Sequence, residues 1–488
     1  MHSNMPAEKI RKPSLTEACM PIVFLIGMLV FNVMIYRDDA ISGSNQMVLL
    51  LSAAFAALLA FIKGAAWADL LKGAVKSIKS SLSAILILML IGSLAGTWLL
   101  SGIVPAIIYY GLQVLNAKIF LFAACVVCCI VSLTTGSSWS TTGTIGIALM
   151  GIGQALGLPE GMVAGAIISG AYFGDKMSPL SDTTNLAPAM AGTDIFTHIR
   201  YMTITTIPSL LIALLIFIAL GFSGQASGAE AEVTPLLSAI GKTFHITPWL
   251  FIVPALVIGM IIMRVPPLPA LLTGALLGGV FAVVFQPHII REVSGIEGNY
   301  FMAAYVAVMD AMSRTISVTT ENEVINELLT TGGMGGMMTT IWLIICAMTF
   351  GGVMEAAGYL KRISSAVITL ANSSGSLIAA TAGTCVFFNI TASDQYLAIV
   401  VPGRMYKNVF KEEGLMPENL SRTLEDSGTV TSVLVPWNTG GAYNSRVLGV
   451  PTLTYLPYCF FNLISPLMTV LVGFIGYKIR KINASEKS

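Results

Sequence analysis

Long apolar segments constrain this chain more than any other feature of its sequence. A helix that crosses a lipid bilayer needs about 20 mostly apolar residues, and about 17 are tolerated. Because lipid offers no partner to backbone polar groups, each such segment is predicted to be a helix. The candidates centre on residues 21–36, 47–61, 84–100, 119–133, 204–222, 249–263, 270–285, 341–353, 376–388 and 455–477. The sequence therefore predicts an all-α protein that crosses the membrane many times.

The composition supports lipid as the main solvent of this chain. Of its 488 residues, 55% are hydrophobic and 10% are charged, whereas a soluble domain carries about 25% charged residues. A net charge of +1 gives no reason to expect nucleic acid as a partner. We therefore expect membrane lipid as the surrounding partner and a function that depends on local charge.

Two Gly- and Thr-rich stretches leave the number of crossings open. Residues 142–157 and 161–174 are apolar but short, so they are interpreted as broken spans or re-entrant hairpins. Counting them gives roughly 11 to 14 membrane segments. Residues 67–80 carry lysines at helical spacing, which predicts an amphipathic helix on the membrane surface. Residues 310–329 are too polar to span and are predicted to be a loop or a short surface helix.

The distribution of basic residues predicts the orientation in the membrane. Cytoplasmic loops are enriched in Lys and Arg, and here the N-terminal tail, residues 63–79 and residues 478–481 are basic. The acidic turn at residues 38–39 lies between the first two. Both termini are therefore expected in the cytoplasm, with residues 224–247 forming an outward-facing linker between two halves.

A polar region in the first half breaks the apolar pattern. Residues 134–144 are rich in hydroxyl groups directly after an apolar segment, and residues 174–185 place two carboxylates after the next one. The candidate binding residues in this region are Ser138, Ser140, Asp175, Asp182, Thr183, Thr184 and Asn185. Two structural explanations compete. Asp175 could pair with Lys176 at a cytoplasmic helix end, and Asp182 could cap the start of a helix.

A second polar region lies at a corresponding place in the second half. It begins at residue 389 after an apolar segment, continues through an acidic pair, and ends in a Pro-Trp-Asn-Thr-Gly-Gly break. Its candidate binding residues are Asn389, Asp394, Glu425, Asp426, Asn438 and Thr439. Salt bridges compete here as well, because Arg404 and Lys407 follow Asp394 and Arg422 lies near the acidic pair.

These residue types are suited to exchanging a cation for a proton. Carbonyls exposed at a helix break, together with Ser, Thr and Asn oxygens, can replace the water shell of Na⁺. An aspartate at the centre of a membrane helix costs about 2.5–3.5 kcal/mol, so a retained acid usually faces a cavity or a partner. A buried carboxylate can hold either a proton or Na⁺, which couples the two gradients. Asp175, Asp182 and Asn185 are the leading sodium ligands, and Na⁺ and H⁺ are the expected coupling ions, with no other cofactor.

The first polar region resembles the NhaC family of sodium/proton antiporters. The resemblance is carried by residues 165–188, by Gly136 to Thr141 upstream, and by Gly192 to Asp194 downstream. It implies two inverted repeats with re-entrant hairpins and broken helices, which we assign to residues 1–223 and 248–488. It also implies a homodimer, and we expect the protein in the plasma membrane of a prokaryote.

Alternative functions remain open from the sequence. Related families exchange organic acids such as malate and lactate, or amino acids, and Arg446 could contact such a substrate. An intramembrane hydrolase lacks support, because there is no His-Glu-x-x-His motif and the four histidines lie outside the centres of predicted spans. A passive channel is less natural than a transporter for two matched broken segments. The sequence therefore predicts a transporter and not an enzyme.

Overall fold

The protein is almost entirely helical in its computed structural model, which describes residues 13–36, 43–114, 116–223, 233–319, 326, 329–369 and 371–482. The helices of the first half are α1 (Leu15–Tyr36), α2 (Ser44–Ile62), α3 (Trp67–Ser80), α4 (Leu82–Leu100), α5 (Ile103–Val114), α6 (Ala117–Thr135), α7 (Ser138–Thr141), α8 (Ile147–Ala155), α9 (Glu160–Met177), α10 (Asp182–Ala191) and α11 (Ile195–Phe222). A π-helix, Thr142–Gly146, joins α7 to α8.

The second half repeats this helical character. Its helices are α12 (Val233–Thr243), α13 (Ile252–Ile262), α14 (Pro267–Phe285), α15 (Pro287–Ser294), α16 (Tyr300–Ser313), α17 (Met338–Ala356), α18 (Tyr359–Ile368), α19 (Ser374–Thr391), α20 (Gln395–Glu412), α21 (Pro417–Leu424), α22 (Thr439–Leu448), α23 (Thr452–Tyr455) and α24 (Phe460–Ile475). Two short strands, β1 (Ile316–Ser317) and β2 (Thr330–Thr331), pair antiparallel. Short 3₁₀ turns precede α13, α17 and α24, and a π-helix, Glu425–Thr429, follows α21.

The predicted membrane spans are confirmed as helices. Eight helices in the described part of the chain are long and apolar enough to cross a bilayer, and two bent helix pairs raise the number to ten. All ten predicted segments fall on or within these elements. Many large apolar side chains on their outer faces are exposed, including Leu215, Val284 and Phe474. Lipid covers such faces in a membrane protein, so the protein is a multi-pass membrane protein.

One sequence of elements occurs twice along the chain. A helical hairpin (α6 to α8) is followed by a helix broken at residues 178–181 (α9 and α10) and then by the long α11. A second hairpin (α19 and α20) is followed by a helix broken at residues 435–438 (α21 to α22) and then by α23 and α24. This order agrees with the predicted layout of two halves. The inverted relation between them, and the boundaries at 223 and 248, stay predictions.

Close packing joins the first hairpin to the first broken helix. Helices α6 and α9 form the most extensive helix pair of the described chain. A Cβ atom at Gly170 would collide with the carbonyl of Cys125, and one at Gly174 would collide with the backbone of Leu133. Small residues allow membrane helices to approach at backbone distance. The two glycines therefore allow the C-terminal half of α9 to pack at backbone distance against α6.

The predictions for surface segments have mixed outcomes. The amphipathic helix at 67–80 is confirmed as α3, and Lys72 and Lys76 on it are exposed. Residues 310–329 are predicted to be a loop or a short surface helix; residues 310–313 instead complete the apolar helix α16, and residues 320–325 and 327–328 lie outside the described residues. The basic residues at 9–12, the acidic turn at 38–39 and residues 224–232 of the linker lie outside the described residues.

Candidate functional site

The turn of the first hairpin is built to reach the end of α9. Gly136 follows the last residue of α6, and its φ of 69° is a left-handed conformation that suits glycine. A Cβ atom there would also meet the Cβ of Leu180 at 2.6 Å. Ser137 then caps α7 by accepting a hydrogen bond from the Ser140 backbone. We call residues 136–137 the first tip and residues 178–181 the first break. The close approach of Gly136 to Leu180 packs the first tip against the first break.

Asp175 joins the first tip to the first broken helix. Its Oδ2 atom accepts hydrogen bonds from the Ser138 hydroxyl at 2.6 Å and from the Ser138 backbone N–H at 3.2 Å. Thr184, beyond the break, donates its hydroxyl to the backbone carbonyls of Asp175 and Lys176. The last carbonyls of α9 are thus satisfied by a side chain where the helix stops. Asp175 is thereby fixed at the junction of tip and break.

The second hairpin and second break meet in a similar way. Asp394 lies in the second tip, residues 392–394, and caps α20 by accepting a hydrogen bond from the Leu397 backbone at 3.0 Å. Asn438, at the second break, donates to the backbone and side-chain oxygens of Asn389. The Thr439 backbone donates to the carbonyl of Ser393. The second tip is therefore also tied to the second break.

A cavity of about 760 Å³ opens between these elements. Three carboxylates line it, from Asp175, Asp182 and Asp394. The remaining polar lining includes hydroxyl, amide, indole and guanidinium groups, from Ser80, Ser81, Ser83, Thr135, Ser137, Trp139, Ser181, Thr183, Arg264, Gln395, Tyr396 and Thr439. The cavity thus borders both tips, the first break and Thr439, which directly follows the second break, and its lining contains neutral and charged oxygens.

The three carboxylates of the cavity do not converge on one point. Within the described residues, no group of three or more His, Cys, Asp or Glu side chains is arranged to hold a metal ion. A sodium ion bound here would take its remaining ligands from hydroxyl and carbonyl oxygens, which Na⁺ accepts as a hard cation. One carboxylate with several neutral oxygens is therefore the donor set that this cavity offers.

Buried polar contacts connect the two halves behind the cavity. The Thr183 hydroxyl donates to Glu425 Oε1 at 3.1 Å. The ammonium of Lys176 forms an ion pair with Asp426, and all four polar groups are buried. Thr183 and Lys176 come from the first broken helix, and the two acids come from the π-helix of the second. The broken helices therefore meet through charges and hydroxyls in the protein interior.

Aromatic residues join the first hairpin to the second broken helix. The rings of Trp139 and Tyr443 stack with centroids 4.1 Å apart and an interplanar angle of 19°. The Tyr443 hydroxyl donates to the Trp139 carbonyl at 2.6 Å. Trp139 lines the cavity, so the stack ties the cavity wall to the second half.

Several buried polar atoms near the acidic pair lack a hydrogen-bond partner in the described part of the chain. They include Glu425 Oε2 and all three guanidinium nitrogens of Arg422, which instead lies over the Tyr201 ring at 4.6 Å. Buried polar atoms are nearly always satisfied, so such atoms point to water or an ion. The predicted surface salt bridge between Arg422 and the acidic pair is wrong, since all three residues are buried and no pair forms.

The structure brings most of the predicted site residues together. Asp175, Asp182, Asp394, Thr183 and Thr439 line the cavity. Those that lie directly behind it and support the tips and breaks are Ser138, Ser140, Thr184, Asn389, Glu425, Asp426 and Asn438.

Three sequence interpretations are corrected by their surroundings. Asn185 does not line the cavity, because its amide donates to the carbonyls of Pro179 and Ser181 and its side chain is exposed. Ser181, and not Asp182, caps α10. Arg446 is exposed in the last turn of α22 and lies outside the cavity lining, so its suggested substrate contact has no structural support there.

Sequence reasoning missed several residues of this region. Arg264, Gln395 and Tyr396 line the cavity but look like ordinary loop and helix residues in the sequence. The sequence offers Asp175 as the partner of Lys176, whereas the lysine pairs with Asp426. A signal for it was present, because a lysine that directly follows an apolar stretch requires an acid partner, and the second half contains one.

Comparisons with known proteins agree on one family. The model of the Na⁺/H⁺ antiporter family matches residues 170–477. The Na⁺/H⁺ antiporter NhaC of Alkalihalophilus pseudofirmus is 38% identical over 415 residues, which are 85% of this chain and 87% of that protein. The malate-2H⁺/Na⁺-lactate antiporter of Bacillus subtilis is 36% identical over 471 residues, 96% of each protein. The arginine/ornithine antiporter ArcD of Halobacterium salinarum is 35% identical over 473 residues, 96% of this chain and 93% of ArcD.

Proposed function

Since this chain belongs to the Na⁺/H⁺ antiporter family, we propose that it is a secondary transporter that exchanges Na⁺ for H⁺ at carboxylates shared between its two halves. The observation that carries the proposal is the position of Asp175. This carboxylate is buried where the first tip meets the first break, and it faces the cavity. Discontinuous helices that meet at a cavity are typical ion sites in secondary transporters.

The charge balance of the interior supports cation binding. Among the described residues, four carboxylates are buried around the breaks and two cationic side chains are buried with them: Asp175, Asp394, Glu425 and Asp426 against Lys176 and Arg422. The buried Glu418 is paired separately with Arg480. Unpaired charge in a low-dielectric interior is costly, so the excess negative charge favours bound Na⁺ or protons. A proton and Na⁺ compete for the same carboxylate oxygens, and this competition couples the two fluxes.

Within the cavity, the residues have separate roles in this proposal. Asp175 supplies the charge that makes dehydration of Na⁺ tolerable, while hydroxyls of Thr135, Ser137 and Ser181 supply neutral oxygens. Thr183 links the cavity to Glu425, so occupancy of the cavity is sensed by the second half. Asp182 is exposed at the cavity and attracts cations towards Asp175.

Coupled exchange of a small organic acid or amino acid is a second candidate function. A volume of about 760 Å³ is far more than an ion requires and falls within the range of about 300–1,000 Å³ of small-molecule sites. Arg264 and Gln395 at the cavity offer hydrogen-bond donors that suit a carboxylate. Two relatives are named for organic substrates, malate and lactate in one case and arginine and ornithine in the other.

The proposal also covers the membrane location, the orientation and the oligomeric state of the protein. We place it in the plasma membrane of a prokaryote, with both termini in the cytoplasm and the cavity open to that side. The basic helix α3 supports this orientation, because its last residue, Ser80, lines the cavity. By analogy with the family, we propose a homodimer, which light scattering of the purified protein tests.

Transport in proteoliposomes tests the proposed function. The lumen contains a pH-sensitive dye, and proton movement is recorded after external NaCl is added, with choline chloride as the control. Sodium-driven proton movement supports antiport. If the protein responds to sodium only once malate, lactate or arginine is present, simple antiport is excluded and the second candidate replaces it.

A further inference from the structure

One side of α3 is fixed to the rest of the protein through α17. A Cβ atom at Gly73 would lie 2.6 Å from the carbonyl oxygen of Gly352, so the two backbones are in direct contact. The Ser77 hydroxyl donates to the sulfur of Met348 at 3.5 Å. Small residues at a helix interface allow such a close approach. This side of α3 is therefore filled by α17, and a further partner can reach only the other sides of the helix.

Two further faces of α3 are exposed and differ in chemistry. The first, which we call the apolar face, consists of Trp67, Leu71 and Val75, each more than half exposed. The second, which we call the lysine face, consists of Lys72, Lys76 and Lys79, all of them exposed. Because successive residues of an α-helix point about 100° apart, the three side chains of each face point in similar directions. The same geometry places the two faces side by side.

A bilayer surface matches this pair of faces. The apolar side chains of an interfacial helix enter the boundary between headgroups and acyl chains, while lysines beside them reach the headgroups. Tryptophan, as at Trp67, is enriched at this level of a membrane. Leu82 and Leu86, in the first turns of α4, are exposed apolar side chains as well. We therefore take lipid as the occupant of the apolar face.

The charge of the lysine face selects among lipids. The ammonium of Lys72 lies 3.8 Å from Asp69, and that of Lys76 lies 3.7 Å from Glu355. The side chains of both lysines are 79% exposed, so these ion pairs are weak. Three lysines against two acids leave the surface positive, which suits a negatively charged headgroup.

The end of α3 also forms part of the cavity. Ser80 is the last residue of α3, and Ser80, Ser81 and Ser83 all line the cavity. Lys79 directly precedes Ser80. A headgroup held by Lys79 is therefore next to the corner between α3 and α4, which is one edge of the cavity.

We propose that the lysine face of α3 binds the headgroups of anionic phospholipids, and that the bound lipid holds the corner between α3 and α4 at the edge of the cavity. The binding does not depend on which ions the protein transports, whereas the effect at the cavity rests on the transport function proposed above. One lysine at a membrane surface gives about a fivefold preference for an anionic lipid over a neutral one.

Quenching of Trp67 fluorescence tests the binding. The protein is reconstituted in vesicles of phosphatidylglycerol and phosphatidylcholine in equal amounts, with bromine on the acyl chains of one lipid or the other. The chain has six tryptophans, so the Trp67 signal is taken as the difference between each protein and its Trp67→Phe variant. Brominated phosphatidylglycerol is expected to quench this signal about fivefold more than brominated phosphatidylcholine.

Removal of the charge of the lysine face gives the matching variant. In Lys72→Gln/Lys76→Gln/Lys79→Gln, the two brominated lipids are expected to quench the Trp67 signal equally. The control removes three exposed lysines of the second half, Lys407→Gln/Lys411→Gln/Lys481→Gln, and is expected to keep the preference of the parent. If the control loses the preference to the same extent, the effect belongs to the overall charge of the protein and the proposal fails.

The parent protein decides the proposal even if the triple variant does not fold. Equal quenching by the two lipids overturns it, and if neither lipid quenches Trp67, the apolar face is covered by a second copy of the chain and the proposal fails as well. Sodium-driven proton movement is expected to become faster as the fraction of phosphatidylglycerol rises, and the triple variant is expected to lose this dependence. A parent rate that is independent of lipid charge overturns the effect at the cavity. Absence of transport in every lipid contradicts the proposed function instead, and the quenching ratio still decides the lipid site.

Discussion

Replacement of Asp175 by asparagine isolates the charge of this carboxylate from its structural role. Ser138 donates two hydrogen bonds to one oxygen of Asp175, and an asparagine oxygen can accept both, although each bond is weaker than one to a carboxylate. The backbone contacts of Thr184 to residue 175 are unaffected by the change. We therefore expect Asp175→Asn to fold with the first tip and first break in place, while the cavity loses one negative charge.

The size of the effect follows from Coulomb's law. A carboxylate in contact with Na⁺ at about 2.5 Å gains about 7 kcal/mol at an effective dielectric constant of about 20. The asparagine oxygen remains a neutral ligand and the other acids of the cavity persist, so we expect less than half of this to be lost. A loss of about 3 kcal/mol weakens sodium binding about 150-fold.

Direct binding of sodium is the appropriate assay. Uptake of ²²Na⁺ by the purified protein gives the dissociation constant, and thermal unfolding without sodium shows that the variant is folded. Asp194→Asn is the matched control, since Asp194 caps α11 outside the cavity and asparagine is an equally good cap. Hydrogen bonds from the side chain and backbone of Thr197 hold the pKa of Asp194 below its usual value, so this control is also a charged carboxylate. A dissociation constant for Asp175→Asn within threefold of the parent would refute the assignment.

Three further predictions follow from local geometry. Gly136→Ala is expected to destabilise the protein by about 1–2 kcal/mol of left-handed strain and by more through the collision with the first break. Gly449→Ala is the matched control, because Gly449 has a φ of 73° and open space around it, so this variant should show the left-handed strain alone. Equal melting temperatures for Gly136→Ala and Gly449→Ala would argue against the collision. Asp182→Asn, at an exposed carboxylate, should raise the half-saturating sodium concentration of transport only about two- to fivefold; a complete loss would make it a direct ligand. Tyr443→Phe removes the hydroxyl bond to Trp139 and should cost about 1 kcal/mol in thermal unfolding while the ring stack is kept; an unchanged stability would show that this bond is replaced.

Hydropathy and residue type predicted much of the fold and of the cavity. Apolar segments must become helices in lipid, so the spans could be located from the sequence alone. Asp175 and Asp394 could be selected because an acid at a membrane segment is costly to bury and therefore usually faces a cavity or a partner. Asp175 lies in the last turn of α9, directly before the first break, and Asp394 lies in the second tip; both line the cavity.

Interactions between distant parts of the chain could not be predicted. Lys176 and Asp426 are 250 positions apart, and the neighbouring Asp175 was an equally plausible partner by sequence. Asn185 and Arg446 were selected by residue type and by position near a break. The structure orients both away from the cavity, because the direction of a side chain depends on helix phase and on packing partners.

The different orientations of Asp175, which lines the cavity, and Lys176, which pairs with Asp426, limit how the length of α9 can vary. Each residue inserted into or deleted from Glu160–Met177 rotates everything after it by about 100° and shifts it by about 1.5 Å. One added residue before this pair would bring a different side chain to Ser138 and move the lysine away from Asp426. Substitutions on the lipid-facing surface of this protein can therefore be frequent, while insertions and deletions in α9 should abolish transport even when every residue of the site is retained.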